Sequence, residues 1–298
     1  MSKLALIDIG SNSIRMVLYQ INVKQQVKEL KRYRHFVQLA KDMTATGAIN
    51  QANFTAGIQV LKNFQQIIME QKVDQVIATA TEAIRQASNQ KDFIQAAKQQ
   101  AQIAIIVLTG QQEAEYDAIA IKTDLHLTDF LFLDTGGGSF EMGVVQQQKL
   151  TQADSWPYGA VKLYDYLNNP QQLTIAQIKN VQQLLQQKLQ KINSQNIRRL
   201  VVIGGVHRAL FTIMDQPDSH WLAHDKVESW VQLLQQNSLQ QNLTLERIEA
   251  QRAPFIPAGL LPLKTVMEYF NVKQVCFSKA GLRNGILQEY LEKMNEKN

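Results

Sequence analysis

The chain of 298 residues contains one motif twice, and this repeat limits its possible folds more than any other feature. The first copy is LALIDIGSNSIRMVL over 4–18, and the second is FLFLDTGGGSFEMGVV over 130–145. In each copy an apolar strand ends at an aspartate, Asp8 or Asp134, and a loop of small residues leads into a second strand. An internal repeat of this kind indicates two related domains. We therefore expect two lobes, residues 1–123 and 124–298, that face each other across a cleft.

Outside the two copies, short apolar runs alternate with longer segments of helical spacing, which is typical of an α/β protein. The segments predicted to be helices are 54–69, 91–99, 111–121, 175–192 and about 281–294. The further predicted strands are 75–78, 103–108, 200–203 and 274–277. The fold class expected from this alternation is α/β in both lobes.

The small residues in the two loops are suited to binding phosphate. Backbone N–H groups reach a phosphate only where the main chain comes close, which glycine and serine allow. The residues predicted to contact phosphate are Gly10, Ser11, Asn12 and Ser13 in the first loop and Gly136, Gly137, Gly138 and Ser139 in the second. One such loop is compatible with an ordinary hairpin, whereas two matching loops favour a shared anionic ligand.

Several charged residues near these loops have two interpretations each. Asp8 and Asp134 end their strands and are placed to hold Mg²⁺, an ion bound by few carboxylates and several waters. Glu141 is either a further ligand of the metal waters or a carboxylate on the strand surface. Glu113 is either a group that activates water or a charge favoured at a helix N-terminus. Arg85 is either a bidentate phosphate contact or a surface residue of a helix.

Composition supports a polyanionic ligand without identifying it. The net charge is +5 and the isoelectric point is about 9.1, a balance that attracts polyanions over a distance.

The single cysteine, Cys276, excludes an internal disulfide framework. The apolar run 103–108 is too short to span a bilayer, and the N-terminus lacks the layout of a signal peptide. We expect a cytoplasmic protein with no membrane partner.

Eight segments in this order resemble the exopolyphosphatase and guanosine pentaphosphate phosphohydrolase (Ppx/GppA) family, in its short two-domain form. They are DIGSNSIRM at 8–16, ATATEAIRQASN at 78–89, LTGQQEAEYDAIAI at 108–121, FLDTGGGSFEMG at 132–143, SWPYGAVKL at 155–163, IGGVHRAL at 203–210, RAPFIPAGLLPL at 252–263 and SKAGLRNGIL at 278–287. The resemblance implies two ribonuclease-H-like domains of the actin and sugar-kinase superfamily, with mixed sheets flanked by helices.

The resemblance also implies roles for individual residues. It makes Glu113 the base for the attacking water and Arg85 a contact of the substrate phosphate. It adds Arg15 to the first phosphate loop, and it counts Gly204 and Gly205 among the substrate-binding residues. The implied cofactor is Mg²⁺ or another hard divalent cation such as Mn²⁺. A homodimer is implied as well, and no nucleic-acid partner is expected.

The predicted reaction is hydrolysis of the terminal phosphoanhydride of inorganic polyphosphate, with release of orthophosphate. Three alternatives stay open: guanosine pentaphosphate as the substrate, phosphate transfer from polyphosphate to ADP, and a weakly active protein that binds polyphosphate or alarmones. Four departures from the family pattern, Gln38, Gln112, Phe140 and His207, bear on rate and substrate preference. Many relatives have an arginine, a glutamate, a threonine and a small residue at these positions.

Overall fold

The computed structural model describes residues 1–194 and 196–296, and these form two compact units. The first unit contains residues 1–109 and the chain from 289 onward, and the second contains 110–288. The expected boundary assigned residues 110–123 to the first lobe. They belong here to the second unit, because the helix that they form packs against two strands of that unit.

A five-stranded mixed sheet with helices forms the first unit. Its strands are β1 (Ser2–Ile9), β2 (Ser13–Ile21), β3 (Val27–Phe36), β4 (Gln75–Ala80) and β5 (Ile105–Val107). Its helices are α1 (Met43–Thr46), α2 (Gln51–Glu70), α3 (Glu82–Gln86) and α4 (Gln90–Ala101). The side chain of Asn50 accepts a hydrogen bond from the N–H of Asn53 and so caps α2. Phe64 of α2 and Phe93 of α4 are fully buried in the core of this unit.

The second unit has a six-stranded sheet. Its strands are β6 (Phe130–Thr135), β7 (Phe140–Gln146), β8 (Lys149–Trp156), β9 (Arg199–Ile203), β10 (Trp221–Ala223) and β11 (Gln274–Phe277). Its helices are α5 (Gly110–Leu125), α6 (Ala160–Tyr166), α7 (Ile175–Leu189), α8 (Gly205–Ile213), α9 (His224–Gln236), α10 (Leu239–Leu243), α11 (Ile256–Gly259) and α12 (Leu261–Tyr269). The last helix, α13 (Leu282–Asn295), begins in this unit, and its residues from 289 onward are counted with the first. A 3₁₀ turn, Ala253–Phe255, precedes α11.

The motif repeat extends to the topology of the whole sheets. The order in the first unit is β3-β2-β1-β4-β5, and the corresponding order in the second is β8-β7-β6-β9-β11, with β10 added at the edge. In both sheets the first two pairings are antiparallel and the next two are parallel. The predicted α/β class, with two mixed sheets flanked by helices, is confirmed.

Strand β6 is buried on both faces, and this fixes the place of α5. Successive side chains of a strand point to opposite faces. Leu131 and Leu133 belong to the main core of the unit, whereas Phe130 and Phe132 belong to a smaller cluster on the other face. Helix α5 covers that smaller cluster with small and aliphatic side chains. They are Ala114, Ala118 and Ile121.

None of the helices in the described ranges combines the length and the apolar character that a membrane span requires.

Candidate active site

The first turn joins β1 to β2. It is closed by a hydrogen bond from the N–H of Gly10 to the carbonyl of Ser13, 3.1 Å long. The carbonyls of Ser11 and Asn12 accept hydrogen bonds from N–H groups of the segment 37–40. These acceptors are therefore used inside the protein, and the turn does not direct them at an anionic ligand.

Asp8, at the end of β1, lies opposite Arg15 of β2 in the sheet register. One guanidinium nitrogen of Arg15 is 3.8 Å from Oδ2 of Asp8. Its Nε donates a hydrogen bond to Oγ of Ser13 at 3.1 Å. The first turn thus carries a carboxylate and a cation side by side, so its net local charge is close to balanced.

Arg85 lies in α3, which follows β4, the parallel neighbour of β1. Its Nη1 donates to the carbonyl of Leu108 at 2.6 Å, and its Nη2 is 2.5 Å from Oε2 of Glu82. The side chain of Arg85 is only 18% exposed, which excludes the interpretation as a solvated surface residue. Its contact with a phosphate stays a prediction.

The second turn joins β6 to β7 and has the same closing bond as the first. The N–H of Gly136 donates to the carbonyl of Ser139 at 3.0 Å. The carbonyls of residues 136–138 accept hydrogen bonds from the N–H groups of residues 159–161 at the start of α6. Helix N-termini have N–H groups without partners in the helix, and here the turn supplies those partners.

Glu141 of β7 lies opposite Asp134 of β6 and is buried. Its Oε1 accepts hydrogen bonds from Oγ of Ser139 at 2.6 Å and from Oγ of Ser155 at 2.7 Å. Of the two interpretations, an exposed strand carboxylate is excluded by this burial. A buried carboxylate held by two hydroxyls is fixed in position and is a suitable ligand for a cation or for its water.

Asp134 packs directly against the turn between β9 and α8. Oδ1 of Asp134 would be 2.2 Å from a Cβ atom at Gly204, whose φ is +94°. Both the close approach and the positive φ require glycine there. The next residue, Gly205, accepts a hydrogen bond at its carbonyl from Arg252 at 2.8 Å. The predicted glycine pair therefore shapes the surroundings of a predicted metal ligand.

Helix α5 brings two carboxylates to the same site. Glu113 lies in its first turn and is 7% exposed, and Asp117 lies one turn later and is 1% exposed. The charges of Asp134, Glu141 and Glu113 act on Asp117, in that order of strength. Glu113 is buried but does lie in the first helical turn, so both interpretations of this residue stay open and its role as the base stays a prediction.

Asp117 is the residue that the sequence analysis missed. Burial, followed by the three neighbouring carboxylates, raises the pKa of Asp117 well above its ordinary value, and a hydrogen bond from the backbone of Leu282 acts in the opposite direction. The signal that could have identified Asp117 is its spacing. It follows Glu113 by four residues in a predicted helix, which places both side chains on one face.

His207 of α8 lies behind the second turn and is fully buried. Its Nδ1 is 2.5 Å from the carbonyl of Ile203, and its Nε2 is 3.4 Å from Oγ1 of Thr135, the residue after Asp134. Burial lowers the pKa of His207 to about 4, although the hydrogen bond to Ile203 opposes this. A neutral imidazole thus joins β6 to the start of α8.

The donor set of the second unit fits a hard cation. Among residues 1–194 and 196–296, no group of three or more histidine, cysteine, aspartate or glutamate side chains is gathered closely enough to hold a metal ion. Mg²⁺ commonly uses one or two carboxylates and several waters, which is a smaller set. Oδ1 of Asp117 is buried with no hydrogen-bond partner in the described ranges, so a cation would supply a missing interaction.

The predicted site residues divide between the units. The first unit holds Asp8, Gly10, Ser11, Asn12, Ser13, Arg15 and Arg85. The second holds Glu113, Asp134, Gly136, Gly137, Gly138, Ser139, Glu141, Gly204 and Gly205. Within each unit they lie where strands of the sheet end. The joint site and the metal set of Asp8, Asp134 and Glu141 stay predictions.

The departures from the family pattern other than His207 have different surroundings. Phe140 is fully buried and its ring lies 4.9 Å from that of Trp156, so it extends the core of the second unit. Gln38 has a left-handed backbone, with φ of 55°, and its N–H donates to the carbonyl of Asn12 in the first turn. Gln112 is exposed in the first turn of α5. None of the three is a carboxylate or a cation.

Comparison with known proteins extends over most of the chain. The model of the Ppx/GppA phosphatase family matches residues 17–294. A protein of Haemophilus influenzae named "Putative exopolyphosphatase" is 25% identical over 96% of this chain and 90% of its own length.

Solved structures give the same result for the fold. The PPX-GPPA enzyme of Aquifex aeolicus is 27% identical, with a TM-score of 0.81 over 96% of this chain and 98% of that one. An exopolyphosphatase from Cytophaga hutchinsonii is 21% identical, with a TM-score of 0.89 over 98% of both chains. The second likeness concerns the fold alone.

Proposed function

Since the chain belongs to the Ppx/GppA phosphatase family, we propose that it is an exopolyphosphatase, which releases orthophosphate from the end of inorganic polyphosphate. The observation that carries the proposal is the buried Glu113 beside the aspartate turn of the second unit. The name of the Haemophilus influenzae relative supports polyphosphate as the substrate. The net charge of +5 favours a polyanion of this kind.

In the proposed reaction, a water oxygen forms a bond to the terminal phosphorus, and the bond from that phosphorus to the bridging oxygen breaks. Glu113 accepts the proton of the water. The products are orthophosphate and a polyphosphate chain that is shorter by one unit. Phosphoryl transfer depends mainly on positioning and electrostatic stabilisation, which rigid turns and fixed charges supply.

The two turns and Arg85 would hold the phosphate groups through N–H, hydroxyl and guanidinium donors. Bound Mg²⁺ or Mn²⁺ supplies charge stabilisation to the phosphate oxygens, and the residues that would hold it are Asp134 and Glu141 of the second unit and Asp8 of the first. The balanced charge at Asp8 and Arg15 suits a turn that must accept an anion.

Replacement of the proposed base tests the assignment. Glu113→Gln keeps the size of the side chain but removes its ability to accept a proton. We expect orthophosphate release from polyphosphate to fall by about 10²–10⁴-fold, measured at saturating substrate with and without Mg²⁺. The matched control is Glu115→Gln, which removes the same charge from the exposed face of the same helix and should leave the rate unchanged.

The same assay separates the alternatives. Polyphosphates of several lengths, guanosine pentaphosphate, and polyphosphate with ADP are compared side by side. Preferred release from the guanosine compound would replace the proposed substrate, and ATP formation would indicate phosphate transfer. Tight polyphosphate binding with negligible turnover would indicate a binding protein. Wild-type turnover in Glu113→Gln would refute the role of this residue.

A further inference from the structure

The proposed reaction leaves one buried carboxylate of the second unit without a role. Asp117 lies in the middle of α5 and is 1% exposed. One of its interactions is with the backbone N–H of Leu282, while Oδ1 has no hydrogen-bond partner in the part of the chain that the structure describes. A buried polar atom of this kind is costly unless something compensates it. A bound ligand that contacts Oδ1 of Asp117 would compensate this cost.

The surroundings of Asp117 indicate the charge of that ligand. Three carboxylates act on it, Asp134 from β6, Glu141 from β7 and Glu113 from its own helix. Like charges at close range disfavour one another, and a cation reverses the sign of each of these interactions. The charges of these carboxylates thus favour a cation and disfavour an anion next to Asp117.

A glycine lies next to each of the two aspartates. A Cβ atom added at Gly281 would be 3.8 Å from Oδ1 of Asp117, and one added at Gly204 would be 2.2 Å from Oδ1 of Asp134. No side chain therefore stands at these two positions beside the aspartates.

We propose that Asp117 is a further ligand of the divalent cation, acting with Asp134 through its free Oδ1, directly or through a metal-bound water. The inference rests on the proposed function for the presence of a cation. It adds that the second unit binds the cation with a carboxylate from α5, which also carries the proposed base. Cation binding and the position of Glu113 would then be linked through one helix.

Titration with the metal alone tests this inference. Metal-free full-length protein is titrated with Mn²⁺ by calorimetry, and its thermal unfolding is recorded with EDTA and with Mg²⁺. Asp117→Asn should weaken Mn²⁺ binding by at least about tenfold, the scale of losing one well-placed ligand or its support. In EDTA the melting temperature of the variant should equal or exceed that of the wild type, because one of several like charges is removed. The increase in melting temperature on addition of Mg²⁺ should be smaller in the variant.

Glu115→Gln is again the matched control and should bind Mn²⁺ as the wild type does. Unchanged Mn²⁺ affinity in Asp117→Asn would overturn the inference. So would a loss of cooperative folding in EDTA for both Asp117→Asn and the smaller Asp117→Ser, since that result assigns the residue a structural role. The titration contains no phosphate substrate, so a protein that binds Mn²⁺ through Asp117 but releases no orthophosphate refutes only the proposed function.

Discussion

At the scale of single residues, the buried His207 makes a defined contribution to the acid response of the second unit. His207 makes one contact with the carbonyl of Ile203 and one with the hydroxyl of Thr135. Nδ1 can donate to the carbonyl and Nε2 can accept from the hydroxyl only if the ring is neutral. Protonation would turn the acceptor into a donor and place a charge in the core. The native state therefore resists protonation.

We expect the contribution of His207 to the free energy of unfolding to fall as the pH is lowered. The pKa of His207 is about 4 in the folded protein and about 6.5 in an unfolded chain. Between these values the unfolded state takes up the proton and the native state does not, so stability is present above pH 6.5 and is lost toward pH 4. The free energy of unfolding contributed by this group should be about 2 kcal/mol lower at pH 5 than at pH 8. Urea unfolding at the two pH values measures the difference.

His207→Gln isolates this contribution from that of the carboxylates. The variant should be less stable at pH 8, because the imidazole contacts are lost, but its decline between pH 8 and pH 5 should be smaller by about 2 kcal/mol. Equal declines in the two proteins would show that His207 titrates normally in the folded state.

The sequence indicated the turn residues because small residues after strand-end aspartates form a recognisable pattern, whereas Glu113 was indicated by the family resemblance. It could not identify Asp117, since a single aspartate in a helix is usually exposed. What makes Asp117 notable is its burial among other carboxylates. That property arises from the packing of α5 on the sheet, which no local pattern expresses.

At the scale of elements, the contact between α5 and α13 holds the carboxylate helix in place. A Cβ atom at Gly285 of α13 would be 2.0 Å from the carbonyl oxygen of Tyr116 in α5. The two helix backbones therefore meet without an intervening side chain. The same helix supplies the N–H of Leu282 to Asp117, so its position matters for the site.

Gly285→Ala should push the two helices apart. We expect a loss of about 1–3 kcal/mol in the free energy of unfolding, the usual cost of overpacking, together with weaker Mn²⁺ binding because α5 is displaced. Glu115→Gln, on the exposed face of α5, is the control and should change stability by less than about 0.5 kcal/mol. Thermal and urea unfolding measure both. An unaffected Gly285→Ala variant would contradict this packing.

Strands that are buried on both faces were easier to predict from the sequence than strands at the sheet edges. Apolar runs such as those of β6 and β9 were predicted because both of their faces are buried. Strand β8 was not predicted, since its sequence, KLTQADSW, is mostly polar. It is an edge strand of its sheet and pairs with one neighbour only. Pairing with that neighbour makes it a strand, and this pairing depends on the tertiary structure.

At the scale of the whole molecule, the motif repeat predicted two units, but it could not locate the division between them. The core of the second unit includes Ala114, Ala118 and Ile121 of α5. These residues lie before the second copy of the motif in the chain, so their membership follows from packing alone. The motif repeat therefore predicted the number of units, and contacts determined their bounds.

The fragment 110–288 should fold by itself, because it contains its own buried core. We expect a cooperative thermal transition by circular dichroism. The matched fragment 124–288 lacks α5 and exposes the face of Phe130 and Phe132, so it should unfold at a lower temperature or aggregate. Equal transitions for the two fragments would show that α5 does not belong to this core.

The seventh residue after each motif aspartate carries a positive charge in the first copy and a negative charge in the second. Arg15 occupies this place beside Asp8, and Glu141 occupies it opposite Asp134, on hairpins closed by the same hydrogen bond. The same hairpin thus places a cation beside the aspartate in one copy and a second carboxylate opposite it in the other. A single side chain therefore sets the difference in local charge between two turns of the same backbone design.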